Sequence, residues 1–158
     1  MHSFTDTQNR VWTVAINFAT VRRVRDMLKI DLVANDIGSV IEKIVSDPIV
    51  LGDVLYVIVK PQADELKISD IQFGEGLAGD AVEEASKAFF DELADFTPNP
   101  RNRARVKKVI EAMWNLTAKL NDKADADLQA ALPQLESLVS GPKSGDSAES
   151  SESQIPVR

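Results

Sequence analysis

The chain has no cysteine, one histidine and one tyrosine among its 158 residues. The absence of cysteine excludes disulfides, thiolate metal sites and a cysteine nucleophile. The single histidine, His2, is expected to be a solvent-exposed residue at a flexible terminus, so a histidine-based dyad or metal centre has almost nothing to build on. Long hydrophobic runs are also lacking. The longest, Ile49–Val59, is interrupted by Gly52 and Asp53 and falls far short of the roughly 20 apolar residues of a membrane span. Residues 1–10, MHSFTDTQNR, contain no apolar signal-peptide core. A cytoplasmic protein without membrane attachment is the expectation.

What is present is the balance of a globular protein: 44% hydrophobic and 27% charged residues, in a length suited to one domain plus a tail. The net charge of −7 repels phosphate backbones and anionic lipid, which disfavours general nucleic-acid binding. The charges are unevenly placed. Arg22, Arg23 and Arg25 form one basic cluster, and Arg101, Arg103, Arg105, Lys107 and Lys108 a second. Acid concentrates in Glu83–Asp95 and Asp122–Asp127.

The segments Phe4–Asp6 and Val11–Ile16, joined by a polar stretch, read as a small β-hairpin, which must pack on something to be stable. Asn17 then caps a helix of about residues 18–29 carrying Val21, Val24 and Leu28. Asp36 caps a second over 37–46. Asp47-Pro48 is a strong start signal for a third, apolar nearly all round and therefore central, which is expected to stop at Pro61. Ser69-Asp70-Ile71-Gln72 fits a capping box, opening a short helix with Ile71, Phe73 and Leu77 as its stripe. Gly79 is a helix terminator and Asp80 a cap for a helix over 81–96 with Val82, Ala85, Phe89, Leu93 and Phe96 in register. After the break at Thr97–Pro100, a helix over 101–121 repeats Val106, Val109, Ile110, Met113, Leu116 and Leu120. A weaker one around 124–138 carries Leu128, Leu132, Leu135 and Leu138, with Pro133 expected to break or kink it. From Ser140 the composition turns polar and disorder is expected. The fold class is therefore mainly α: a single domain over 1–139 in which an N-terminal hairpin (1–17) packs on five to six helices, followed by a disordered tail over 140–158.

Gly74–Gly79 matches G-x-G-x-x-G letter for letter, but that motif needs a buried strand before it, and Ile68–Phe73 reads as a helix start. The glycines are better explained by helix ends and close packing. Glu83, Glu84, Asp91, Glu92 and Asp95 fall mostly off the apolar stripe and suit a solvated helix face. Asp122, Asp125 and Asp127 lack the spacing of a calcium loop and suit the start of a helix. No serine or threonine has a nucleophile motif around it. An enzyme is not expected, nor is any catalytic residue, cofactor or metal. Arg101, Arg105 and Lys108 recur at helical spacing and fit salt bridges, within the chain or to a partner. They also provide the best argument for the alternative of a small nucleic-acid-associated regulator using 101–108.

Three runs carry a resemblance: Phe4-Thr5-Asp6-Thr7, Trp12–Asn17 and Arg22–Arg25. They are followed by Asp47-Pro48, Lys60–Asp64, Ser69–Gly74, Leu77–Asp80 and Glu92–Pro98. Together, over about residues 4–100, they resemble small tail-assembly-chaperone-like proteins of tailed bacteriophages and prophages. The resemblance implies a non-enzymatic protein of the host bacterial cytoplasm. It would bind the tape-measure protein and tail-tube subunits during tail assembly and be absent from the finished virion. A structural tail component, such as a connector or terminator, is a third reading. No functional residue transfers position by position. Arg101, Arg105, Lys108, Leu128, Leu132 and Leu135 are the residues expected to meet a partner, and a homo-oligomer is compatible with the same pattern.

Overall fold

A computed structural model describes residues 1–141, so most of the expected tail, 142–158, lies outside the described residues. Two strands, β1 (His2–Thr5) and β2 (Val11–Val14), precede six helices among the described residues. These are α1 (Phe18–Leu28), α2 (Ile37–Ser46), α3 (Pro48–Leu66), α4 (Asp70–Gly76), α5 (Asp80–Phe96) and α6 (Pro100–Val139). The mainly α class and the N-terminal hairpin agree with the sequence pattern. The described residues fall into two units, one of Met1–Trp114 and a second that begins at Asn115.

In the first unit the hairpin pairs Phe4 with Trp12 and His2 with Val14. Side chains alternate between its faces, so Phe4, Trp12 and Val14 are buried while Val11 is exposed. β1 lies along α5 and β2 along α3, which supplies the support that two strands lack alone. α3 is the central helix, with Val54, Leu55, Val57, Ile58 and Val59 all buried. The caps are those the sequence indicates. Asn17 accepts from Thr20 N at 3.0 Å, Asp36 from Ser39 N at 3.4 Å and Asp47 from Ile49 N at 2.9 Å. Ser69 and Gln72 close a reciprocal box.

Several expectations are corrected. α3 does not stop at Pro61 but continues to Leu66. Proline lacks the N–H that would bond the carbonyl four residues back, at Val57. In its place Arg23 Nη1 donates to Val57 O at 3.0 Å. Gln62 then holds the continued turn, its amide accepting from Thr13 N at 3.0 Å and donating to Thr13 O at 2.7 Å. Arg23→Ala is expected to lower stability by about 1–3 kcal/mol, the cost of a buried carbonyl left without a donor. Pro61→Ala, which restores the missing N–H, should be more favourable in the Arg23→Ala background than in the wild type. Urea denaturation of the four chains of this cycle measures the coupling, and a coupling of zero refutes the substitution of guanidinium for amide.

Gly79, at φ 55°, caps α5 with no side-chain bond, and Asp80 is the first helical residue rather than the cap. Ile71 is 70% exposed although it was placed on the apolar stripe of α4. Residues 101–121 and 124–138 are one continuous helix, α6, running through Pro133. At 100° per residue Pro133 falls on the side of the helix opposite its leucines. The freed carbonyl of Gln129 therefore faces the polar, exposed side, where water can satisfy it.

Candidate partner-binding surfaces

The polar groups singled out in the sequence mostly serve the fold. Gly74 and Gly76 lie inside α4 with no strand before them. Gly76 is required for space: a Cβ there would lie 2.6 Å from Arg10 Nη2 and 2.8 Å from Asp6 Oδ2. Those two groups belong to a tight constellation in the hairpin loop. Asp6 Oδ1 accepts from Gln8 N and Arg10 N, both at 2.9 Å. Its Oδ2 accepts from Arg10 Nε at 2.6 Å and Trp12 Nε1 at 2.9 Å. Arg10 Nη2 reaches Gln72 O at 2.9 Å, and Thr7 N reaches Gly76 O at 3.0 Å, so the loop caps the end of α4.

Glu92 is another correction. It is buried on α5 rather than solvated, and its Oε1 accepts from Ile16 N at 3.3 Å. His2 is held in β1 rather than at a loose end, with Nε2 3.3 Å from Asp95 Oδ2. Lys107 Nζ stands 3.2 Å from the other oxygen of Asp95. Hydrogen bonds from His2 and then Lys107 hold the Asp95 carboxyl below the ordinary aspartate range. Among the described residues no group of three or more His, Asp or Glu side chains is placed to hold a metal ion.

Two grooves open in the first unit. One, of about 240 Å³, is lined by Pro48, Ile49, Gly52, Tyr56, Phe73 and Leu77; it is smaller than the roughly 300–1,000 Å³ of small-molecule sites. The other, of about 460 Å³, has a mixed lining of Phe18, Leu32 and Val106 with Asn35, Asn102 and Arg105. Arg101 and Lys108 are exposed on the same helix. Among the described residues, Arg101, Arg105 and Lys108 take part in no ion pair. The second cluster's ordered contacts come instead from Lys107 and from Arg103, whose Nε donates to Thr97 O at 3.1 Å.

No family model, curated protein or solved structure matches the chain.

Among the described residues, the second unit carries a run of exposed leucines. Leu116, Leu120, Leu128, Leu132, Leu135 and Leu138 are between 45% and 78% exposed. At 100° per residue they fall, with Ala124 and Ala131, within an arc of roughly 160°. This is the stripe of an amphipathic helix, and its leucines are exposed. Within the first unit, α6 buries Val106 and Ile110 and sets Trp114 edge-on to Phe90, with centroids 6.1 Å apart. The stripe that the sequence continued through Leu116 and Leu120 does not stay buried. Exposed apolar patches of this extent mark interaction surfaces. Full burial of a leucine contributes about 1.5–3 kcal/mol. Six half-exposed leucines therefore outweigh the exposed charges beside them, each pair of which contributes at most about 1 kcal/mol.

Proposed function

We propose that the protein is a non-enzymatic tail assembly chaperone of a tailed phage or prophage, which shields a helical segment of the tape-measure protein and presents it to tail-tube subunits. The uncovered leucine face of α6 beyond Asn115 carries this reading. A long amphipathic client helix buries its own apolar stripe against such a face, the helix-in-groove mode of recognition. The resemblance over residues 4–100 supplies the identity of the client.

Co-expression with a tape-measure fragment tests the reading. A soluble complex that co-elutes on gel filtration is expected. Leu128→Asp with Leu132→Asp and Leu135→Asp should abolish it, leaving the first unit folded by near-ultraviolet circular dichroism. No complex and no gain in client solubility would refute the reading. Salt-dependent retention on DNA, lost on Arg101→Glu with Arg105→Glu, would assign the protein to nucleic acid instead.

A further inference from the structure

The leucine face beyond Asn115 has a particular charge pattern along one edge. Lys123 and Asp127 flank Leu116 on the helical wheel, roughly 20° to either side. They are four residues apart, in the order lysine then aspartate, the less favourable of the two orientations within a helix. Among the described residues neither has an ion-pair partner. The polarity also runs lengthwise. Residues 115–124 hold Lys119 and Lys123 against Asp122, whereas 125–139 hold Asp125, Asp127 and Glu136 with no basic residue. Glu136 therefore sits in the last turn, at the negative end of the helix macrodipole. A helix built to stand alone would carry the opposite bias.

A second copy of the same helix, running antiparallel, answers each of these features. We infer that residues 116–138 pair with themselves in a two-fold symmetric, antiparallel helix pair. In one register Leu116 faces Leu135 of the second copy, Leu120 faces Ala131 and Ala124 faces Leu128. The residue sums agree to within one residue, or about 1.5 Å of rise. Large residues meet small ones at the two inner layers, which allows the helices to approach closely. In the same register Lys123 of each copy meets Asp127 of the other, because antiparallel helices bring like edges together. Two symmetric ion pairs form, and the lysine-bearing end of each helix meets the acidic end of its neighbour. An isologous contact of this kind closes on itself and does not propagate into a filament. The leucines supply the affinity and the two charge pairs fix the register.

The pairing does not depend on which client the protein serves. It covers, when no client is present, the same leucines that the proposed function assigns to one, so client and second copy compete for the face. Sedimentation equilibrium of the full chain at low salt provides the test. The wild type is expected to be a dimer that Leu120→Asp with Leu128→Asp converts to monomer. Lys123→Glu alone and Asp127→Lys alone should each weaken the dimer about tenfold or more, because both copies then carry like charges at both contacts. An equimolar mixture of these two variants should recover wild-type affinity as a heterodimer, since every contact is again lysine or glutamate against its opposite. No change in one helix's own stability can produce that recovery. A wild type that stays monomeric up to about 100 μM, or a mixture no tighter than the separate variants, overturns the inference. Co-purification with a tape-measure fragment is read separately and bears only on the client.

Discussion

Asp6→Ala is expected to lower the stability of the first unit by about 3–5 kcal/mol, the range for removing one member of a buried ion pair. The loss is large against the roughly 5–15 kcal/mol that holds a typical domain together. The side chain of Asp6 has no exposure at all, and that of Arg10 is 17% exposed. Without the carboxylate, the Trp12 indole N–H and the Arg10 Nε–H face each other with no acceptor, only Arg10 Nη2 keeping its bond to Gln72 O, and the loop amides of Gln8 and Arg10 lose theirs. Asp6→Asn is a sharper probe. It keeps one acceptor for the two amides but turns an NH₂ toward the Arg10 and Trp12 donors, so it should be clearly destabilising while less damaging than alanine. Urea denaturation followed by Trp fluorescence measures both, and an Asp6→Ala variant within about 1 kcal/mol of wild type would refute the role given to the carboxylate.

The same constellation sets an acid limit. Burial pushes the Asp6 carboxyl up, but hydrogen bonds from Trp12, Arg10 and Gln8 outweigh it and hold the group below the ordinary aspartate range. A carboxyl depressed in the folded state contributes stability that is fully present above its unfolded pKa and is lost as pH falls through its folded value. Stability should therefore decline on acidification below the ordinary aspartate range, and the decline should be shallower in Asp6→Asn, which cannot titrate at that position. Asp31 and Asp95 are depressed too, by Arg25 and by His2 with Lys107. They lie at the exposed surface, where screening leaves them a smaller share.

What was legible in the sequence was local. Asn17, Asp36, Asp47 and the Ser69–Gln72 pair are caps whose chemistry is complete within four residues, so spacing alone places four helix starts. The two prolines show the reverse. Pro61 looks like a terminator because its rescue comes from Arg23, 38 residues away in sequence though adjacent in space. Pro133 looks like a breaker because its lost bond falls on a side of the helix where water replaces it. The burial of Glu92 depends likewise on Ile16, which no repeat in α5 can reveal. Among the candidate site residues, the leucines were legible as a stripe. Periodicity shows that a helical face needs covering, and only tertiary contacts show whether the chain itself covers it. Leu116 and Leu120 thus looked like a continuation of the packed stripe of Val106 and Ile110. Asp127 passed, with Asp122 and Asp125, for part of an acidic helix start, where the structure has no helix start.

Phe73→Ala should cost about 3–5 kcal/mol, the range for deleting a buried phenylalanine. α4 has only seven residues, too few to hold a helix in water without tertiary support, and Phe73 is its anchor. The ring is 1% exposed. It meets Trp12 edge-on with centroids 5.1 Å apart and lies 6.5 Å from Phe4 and 5.6 Å from Tyr56. Its removal opens a cavity between the hairpin and α3 and loosens the turn whose carbonyls, Gln72 O and Gly76 O, receive Arg10 and Thr7. The two halves of this junction depend on each other, so Asp6→Ala combined with Phe73→Ala should cost less than the sum of the two. Ile71 gives the control within the same helix: at 70% exposure, Ile71→Ala should stay within about 0.5 kcal/mol of wild type. Should Phe73→Ala fail to fold, Phe73→Leu retains most of the volume and keeps the comparison measurable. Equal losses at positions 71 and 73 would mean that α4 is not docked through its phenylalanine, and the junction that positions the hairpin loop would have to be held by its hydrogen bonds alone.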